Sequence, residues 1–200
     1  NCINPISVIQ SISIPKTWPD EYICTVGRPS FQKNIELMLE ILFEINKTQN
    51  IHLVLMGVGH HVGQLESVLN KIEKLNLKDK VTLLNWTKRE DVLNIISNSK
   101  LYISTARYEG LPYSIIESLA LSKPCVVSDC DGNRDLIING YNGYIIKNND
   151  VKLFKEKILD LLNNKNEDFS VNALKFFNDN YNIISNTKQL ENIYYYNSLS

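Results

Sequence analysis

The sequence has little net charge and no long apolar run. Its 200 residues carry 21 basic and 22 acidic side chains, a formal net charge of -1. A nucleic-acid-binding face needs a basic excess, so no nucleic acid partner is expected. No run of about twenty apolar residues could span a membrane, and the N-terminus lacks the basic-then-apolar pattern of a secretion signal. We therefore expect a cytoplasmic protein.

The cysteines form no recognisable site. Cys2, Cys24, Cys125 and Cys130 contain no C-x-x-C pair, and no histidine stands at zinc-ligand spacing from them. We expect reduced thiols, mostly in the core.

Apolar residues make up 44% of the chain and charged residues 22%, values typical of a soluble globular protein.

Short apolar stretches alternate with amphipathic ones along the chain. This alternation is typical of βαβ units and predicts an α/β fold with a doubly wound, parallel, Rossmann-like sheet over residues 22–182. Ligands of such sheets bind beyond the carboxyl ends of the strands. Strands are predicted at residues 22–26, 52–56, 81–86, 101–105, 125–128 and 144–146, with helices between them.

The two ends of the chain differ from its centre. Residues 1–21 are proline-containing and show no helical period, which predicts an extended linker from another part of a longer protein. Residues 183–200 are polar and rich in tyrosine, and we expect a C-terminal helix that packs on that other part. Ser170 is predicted as the N-cap of the helix that includes Ala173.

The most informative segment is residues 108–117, YEGLPYSIIE. Glu109 follows a predicted strand, and Glu117 lies eight positions later in a predicted helix. The turn between them leaves backbone N–H groups unpaired at a helix N-terminus, which favours an anionic ligand. Carboxylates accept hydrogen bonds from hydroxyl groups. The combination indicates a ligand that carries both phosphate and hydroxyl groups, such as a nucleotide-sugar.

Each acid also has a simpler interpretation. Glu109 is explained equally by a first-turn carboxylate that complements the helix dipole, and Glu117 by a solvated helix glutamate. Neither Tyr113 nor Leu121, four residues to either side of Glu117, supplies a cation. The pair at this spacing favours the functional interpretation.

Two cations follow the first predicted strand, at the same edge of the sheet. Arg28 can direct two donors at phosphate oxygens, and Lys33 offers a compact charge at the start of the next helix. A diphosphate suits this pair. The alternative is a solvated Lys33 and an Arg28 paired with an acid.

Together these residues resemble the C-terminal, donor-binding half of glycosyltransferase family 4, retaining enzymes of the GT-B fold. The similarity runs from about residue 4 to residue 164. The sequence departs from the family pattern at Asp131, where a second glycine is frequent, and at Asp135, where a glutamate is frequent. The motifs that carry the resemblance are Gly27-Arg28 followed by Lys33, Gly57-Val58-Gly59, Glu109 to Glu117, and Asp131-Gly132-Asn133.

The resemblance implies a role for each residue of the site. Arg28 and Lys33 bind the donor diphosphate, Glu117 accepts from the ribose hydroxyls, and Glu109 faces the transferred sugar. The implied catalytic residues are Glu109, Arg28 and Lys33. The implied donor-binding residues are Gly27, Arg28, Lys33, Gly57, Asn85, Trp86, Glu109, Gly110, Leu111, Pro112, Tyr113, Ser114 and Glu117, with Asn85 and Trp86 near the base.

The resemblance also implies the reaction. A sugar passes from a nucleotide-diphosphate sugar to a glycan or lipid-linked acceptor, as in bacterial surface polysaccharide synthesis. The acceptor site is expected on an N-terminal domain of the same parent protein, at the inner face of the membrane. Arg28, Lys33 and the helix N-terminus would stabilise the leaving diphosphate, so no metal or other cofactor is expected.

Several other interpretations stay open. A non-catalytic nucleotide-sugar-binding module would carry the same residues. Gly57 to Gly63 resembles a dinucleotide fingerprint, which would indicate a nicotinamide-dependent oxidoreductase, but Val62 takes the third glycine's place and no ribose-binding acid follows the next strand. The D-x-D of Asp129 and Asp131 could bind a divalent metal. His60 and His61 are a weaker candidate, since no third ligand accompanies them.

Overall fold

A computed structural model of the chain describes residues 2–6, 18–19, 21–59, 64–85, 88–188 and 191. Its centre is one sheet whose strands pair in parallel, in the order β3-β2-β1-β4-β5-β6. The predicted parallel α/β sheet is thereby confirmed. The strands are β1 (Tyr22–Val26), β2 (His52–Met56), β3 (Val81–Leu84), β4 (Tyr102–Ser104), β5 (Cys125–Ser128) and β6 (Gly143–Ile146).

Helices cover both faces of this sheet. A π-helical segment, Leu161–Lys165, joins α6 directly to α7, and short 3-10 turns lie at Lys78–Lys80 and Lys147–Asn149. No described helix is long and apolar enough to cross a membrane. The helices are α1 (Ile35–Asn46), α2 (Leu65–Lys74), α3 (Arg89–Asn98), α4 (Tyr113–Ala120), α5 (Asp131–Arg134), α6 (Val151–Asp160) and α7 (Asn166–Asn180).

The core consists of two apolar layers, one on each face of the sheet. Successive strand residues point to opposite faces, so Leu53 and Leu55 of β2 join the layer that contains α1, α2 and α6. Val54 and Met56 join the other layer, with α3, α4 and the second half of α7. Strands covered on both faces need continuous apolar runs, which explains the sequence pattern.

Several predicted boundaries need correction. Ser170 does not cap a helix, because α7 begins at Asn166 and Ser170 lies inside it. The strand predicted over 81–86 ends at Leu84.

The two ends of the described chain meet. The N–H of Ile3 donates to the carbonyl of Tyr181 at 2.9 Å, and the N–H of Ile183 donates to the carbonyl of Ile3 at 3.0 Å. Residues 183–188 are helical. Part of the predicted linker therefore pairs with the start of the predicted C-terminal helix.

The order in which successive strands are added to the sheet reverses between β1 and β4: β2 and β3 lie on one side of β1, and β4, β5 and β6 lie on the other. The helix after β1, α1, packs on one face, and the helix after β4, α4, packs on the other. The loops that leave these neighbouring strands therefore lead to helices on opposite faces, and in doubly wound sheets a crevice lies at the carboxyl ends of such strands. Ligands of doubly wound sheets bind at such a switch point.

Candidate active site at the switch point of the sheet

Hydrogen bonds join the loop after β1 to the loop after β4. The N–H of Arg107 donates to the carbonyl of Gln32 at 2.8 Å, and the Thr105 hydroxyl is 3.0 Å from the carbonyl of Asn34. The guanidinium of Arg107 lies over the Phe31 ring, 4.3 Å from its centroid. The two loops thus form one unit across the crevice.

Glu109 is held at both of its carboxylate oxygens. Lys33 Nζ lies 2.6 Å from Oε1, and Gln32 Nε2 donates to Oε2 at 3.2 Å and to the carbonyl of Tyr108 at 3.1 Å. The Glu109 side chain is only 9% exposed. Two consecutive residues of the β1 loop therefore fix the orientation of an acid on the β4 loop.

Glycines let the backbone and Lys33 approach closely here. A Cβ at Gly27 would lie 3.1 Å from Lys33 Cε, so the lysine side chain extends across the glycine. Gly57 has φ +82°, a conformation that favours glycine. Its N–H donates to the carbonyl of Leu84 at 2.9 Å, and that of Gly27 to Met56 at 2.9 Å.

Arg28, the other predicted cation, is exposed beside this glycine turn. Among the described residues it forms no ion pair with an acid, unlike Lys33. Asn85 is exposed just after β3, and Trp86 lies outside the described residues. The structure thus brings Lys33 and Glu109 together and leaves the Arg28 guanidinium at the surface.

The start of α4 presents unused backbone donors. Pro112 is the N-cap residue and accepts from the N–H of Ile115 at 3.0 Å. Among the residues that the structure describes, no acceptor is bonded to the backbone N–H groups of Gly110, Leu111, Tyr113 and Ser114. Such donors at a helix N-terminus suit an anion.

Tyr102, on the central strand β4, links the end of β1 to the start of α4 through its hydroxyl group. The N–H of Val26 donates to its hydroxyl at 3.1 Å, and the hydroxyl donates to Ser114 Oγ at 2.8 Å. Burial raises the pKa of the Tyr102 phenol, so the hydroxyl keeps the proton it donates. The end of β1 and the start of α4 are therefore fixed relative to each other.

Replacing Tyr102 with phenylalanine is expected to lower the free energy of unfolding by ~1–3 kcal/mol, because the N–H of Val26 loses its acceptor. Thermal denaturation measures this. Tyr113→Phe is the matched control, since Tyr113 is 51% exposed. Equal melting temperatures for the two variants would contradict this role of the Tyr102 hydroxyl.

Glu117 has a cationic partner that its own helix does not provide. Arg89 Nη2, at the start of α3, lies 2.7 Å from Glu117 Oε1. Glu117 is buried, and burial raises the pKa of its carboxyl while Arg89 acts in the opposite direction. The carboxylate is therefore not a solvated surface group.

The start of α5 supports the β4 loop from behind. The N–H of Gly132 donates to the carbonyl of Glu109 at 3.0 Å, and a Cβ on Gly132 would lie 2.4 Å from the Gly110 oxygen. The backbone oxygens of Glu109 and Gly110 therefore lie directly against Gly132. A side chain at position 132 would displace it.

The carboxylates of the D-x-D share a cation of the protein. Arg134 Nη1 lies 2.6 Å from Asp129 Oδ1, and Nη2 contacts Asp131 Oδ1. The described residues contain no group of three metal-ligating side chains. The arginine already provides the positive charge that a metal would bring between these acids. His60 and His61 lie outside the described residues.

Comparison with known proteins identifies the family. Residues 10–176 match the family model described as glycosyl transferases group 1. The chain belongs to this family. Family membership favours a glycosyltransferase over the nicotinamide-dependent oxidoreductase, and the residues 60–63 on which a fingerprint would depend lie outside the described part of the chain.

Several named glycosyltransferases are similar to this group 1 chain. An Escherichia coli UDP-Gal:alpha-D-GlcNAc-diphosphoundecaprenol alpha-1,3-galactosyltransferase is 28% identical over 84% of the chain. A poly(ribitol-phosphate) alpha-N-acetylglucosaminyltransferase of Staphylococcus aureus is 33% identical over 75% of it. The chain covers 44% of the length of the first enzyme and 30% of the second.

Solved structures match the fold of the group 1 chain. A variant of S. aureus TarM, in complex with Fondaparinux, alpha-GlcNAc-glycerol and UDP, aligns with a TM-score of 0.76 and 27% identity. The alignment covers 92% of this chain and 37% of TarM. Pneumococcal GtfA aligns with a TM-score of 0.78 at 18% identity, over 96% of this chain and 38% of its own. The sheet is thus the Rossmann-like unit of GT-B glycosyltransferases.

Three side chains and one backbone contact of the site were not predicted from the sequence. The side chains are those of Gln32, Arg89 and Tyr102, and the contact is that of Gly132 with the β4 loop. Each acts on a residue at least 12 positions away in the chain, so helical or strand spacing gave no signal. Two of them had a signal in the sequence: Gln32 precedes Lys33 in a loop predicted to lie at the ligand edge, and Gly132 belongs to a motif that carries the family resemblance.

Proposed function

We propose that this chain is the C-terminal, donor-binding domain of a retaining family 4 glycosyltransferase. The observation that carries the proposal is the switch-point crevice. There, Lys33 and Gln32 hold Glu109, and the N–H groups of Gly110, Leu111, Tyr113 and Ser114 are bonded to no acceptor among the described residues. This arrangement offers cationic and amide donors for a diphosphate beside carboxylate acceptors for hydroxyls.

The proposed residue roles follow from this geometry. Arg28 and Lys33 bind the diphosphate, and Lys33 exchanges its bond to Glu109 for one to a phosphate oxygen. The bond between the sugar and the diphosphate breaks, and its electron pair passes to the leaving phosphate oxygen. Cations and amides that are already oriented stabilise that charge, so no metal is required. Glu109, still bonded to Gln32, faces the sugar on which positive charge develops.

The whole protein is proposed to transfer the sugar to a glycan or lipid-linked acceptor in bacterial surface polysaccharide synthesis. The E. coli relative is named for a diphosphoundecaprenol-linked acceptor, and the S. aureus relative for poly(ribitol-phosphate). An N-terminal domain of the same protein would hold the acceptor. The proposed location is the cytoplasm, at the inner face of the membrane, where a lipid-linked acceptor and a nucleotide-sugar meet.

A thermal-shift panel of UDP-, GDP- and ADP-sugars tests donor binding. A ligand at a hundred times its Kd adds about 2.7 kcal/mol to the free energy of unfolding. For a domain of this size that corresponds to a rise in Tm of roughly 5–10 °C. We expect one nucleotide class to give this rise and to lose it in Glu117→Ala. No shift with any nucleotide in the parent protein would contradict the proposal.

A non-catalytic nucleotide-sugar-binding module is the second candidate. The chain spans half or less of the length of the first three relatives, so it carries only part of what they contain. A transfer assay with the parent protein separates the two. Donor binding without release of nucleoside diphosphate, in the presence of lipid-linked acceptors, would favour the module.

A further inference from the structure

Arg89 stands in an unfavourable place for its own helix. It is the first residue of α3, where the helix dipole favours anions, and Glu90 and Asp91 in the same turn meet that preference. A cation here gains nothing from α3 itself. Its favourable interaction is instead the ion pair with Glu117, on the neighbouring helix α4.

The environment of Glu117 makes this bond consequential. The Glu117 side chain is 10% exposed, while that of Arg89 is 67% exposed. The elements that pack on α4 include β5 and α7, which contribute apolar side chains such as Val127, Ala173 and Phe177. Among the described residues, Arg89 is the one charged group that acts on the Glu117 carboxyl. Without it, burial alone would determine the protonation of this acid.

We propose that Arg89 is a positioning residue for the donor: it keeps Glu117 ionised and occupies Oε1, so that Oε2 accepts from a hydroxyl of the ligand's ribose. This inference rests on the proposed function of the same site. A protonated carboxyl loses the charge-assisted hydrogen bond that a carboxylate makes. Arginine stays charged at every physiological pH, so it keeps this acceptor available across that range.

The expected consequence is a pH dependence that appears only when Arg89 is removed. Arg89→Met should raise the pKa of Glu117, so that protonation begins at a higher pH. At a pH below the Glu117 pKa of both the unchanged chain and Arg89→Met, the variant's affinity should be about tenfold lower for each unit by which its Glu117 pKa is raised. Above both pKa values, the variant should bind nearly as the unchanged protein does.

Two measurements test this, with UDP as the probe. Calorimetry gives UDP affinity between pH 5 and 8 for the unchanged chain, Arg89→Met and Arg89→Lys. Carbon-13 NMR of the side-chain carboxyls gives the Glu117 pKa without ligand. We expect a raised pKa and a low-pH loss of affinity in Arg89→Met, and restoration in Arg89→Lys. Lys78→Met, which breaks an exposed ion pair with Glu73, is the control and should change neither quantity.

The outcomes separate this inference from the proposed function. An unchanged Glu117 pKa, or an affinity loss equal at all pH values, would overturn the role of Arg89. If Glu117→Ala binds UDP as the unchanged chain does, the assigned role of Glu117 fails, and the inference about Arg89 falls with it. If Glu117→Ala weakens binding and Arg89→Met keeps a normal pH profile, only the inference about Arg89 falls.

Discussion

Replacing Lys33 with methionine is expected to reduce the affinity for a nucleoside diphosphate by about tenfold to a hundredfold. A charge-assisted hydrogen bond contributes ~1.5–3 kcal/mol, and each 1.4 kcal/mol is about a factor of ten in Kd. The methionine keeps most of the aliphatic stem that lies against Gly27, so the change removes charge more than packing. Calorimetry with UDP gives the ratio of the two Kd values.

Two further variants identify the cause of that loss. Lys47→Met removes an exposed cation that pairs with Glu44 on α1, and it should leave UDP affinity unchanged. Glu109→Gln removes the negative charge that competes with the diphosphate for Lys33, so UDP should bind at least as tightly as before. A Lys33→Met chain that binds UDP normally would show that this lysine does not contact the diphosphate.

Replacing Gly132 with alanine is expected to destabilise the protein and distort the site together. Its Cβ would lie 2.4 Å from the Gly110 oxygen and 2.8 Å from the Glu109 oxygen, and both are backbone atoms that cannot rotate away. Overpacking of this kind costs ~1–3 kcal/mol. For this chain length the loss in Tm is roughly 2–12 °C. Differential scanning calorimetry measures it.

Gly110→Ala is the matched control for the alanine at 132. No heavy atom lies within 4 Å of a Cβ built on Gly110, so this methyl group meets open space. Its Tm should stay within about two degrees of the original, since surface substitutions usually change stability by less than ~0.5 kcal/mol. A Gly132→Ala chain as stable as Gly110→Ala would mean that the contact between α5 and the β4 loop is easily relaxed.

Much of the fold could be predicted because apolar strands at the centre of a parallel sheet leave a clear pattern. The predicted limits of β1, β2 and β5 match the structure residue for residue. The prediction failed around Ser170, which was expected to cap the start of a helix. The structure continues the helix there through a π-helical turn, and Phe169 and Ala173 pack on the core. Tertiary packing thus outweighed local preference.

The site could be predicted only in part, for a related reason. The carboxyl-edge rule for parallel sheets places Lys33 and Glu109 at one edge without reference to their side chains. The positions four residues from Glu117 hold no cation, whereas Arg89 reaches it from a different helix. Contacts between elements distant in sequence leave no periodic signal.

Helix α6, the π-helical segment and α7 follow one another without a break, and this has a mechanical consequence. Phe154 and Phe169 insert on one side of the sheet, whereas Ala173 and Phe177 insert on the other. One continuous helical segment therefore packs on both apolar layers and links the two faces of the sheet. Sliding of the helices on one face relative to those on the other would strain this connection, so we expect relative movement to be larger in the loops at the carboxyl edge of the sheet. Cleavage within Leu161–Lys165 would break this covalent link, and we expect the helices on the two faces of the sheet then to unfold more independently.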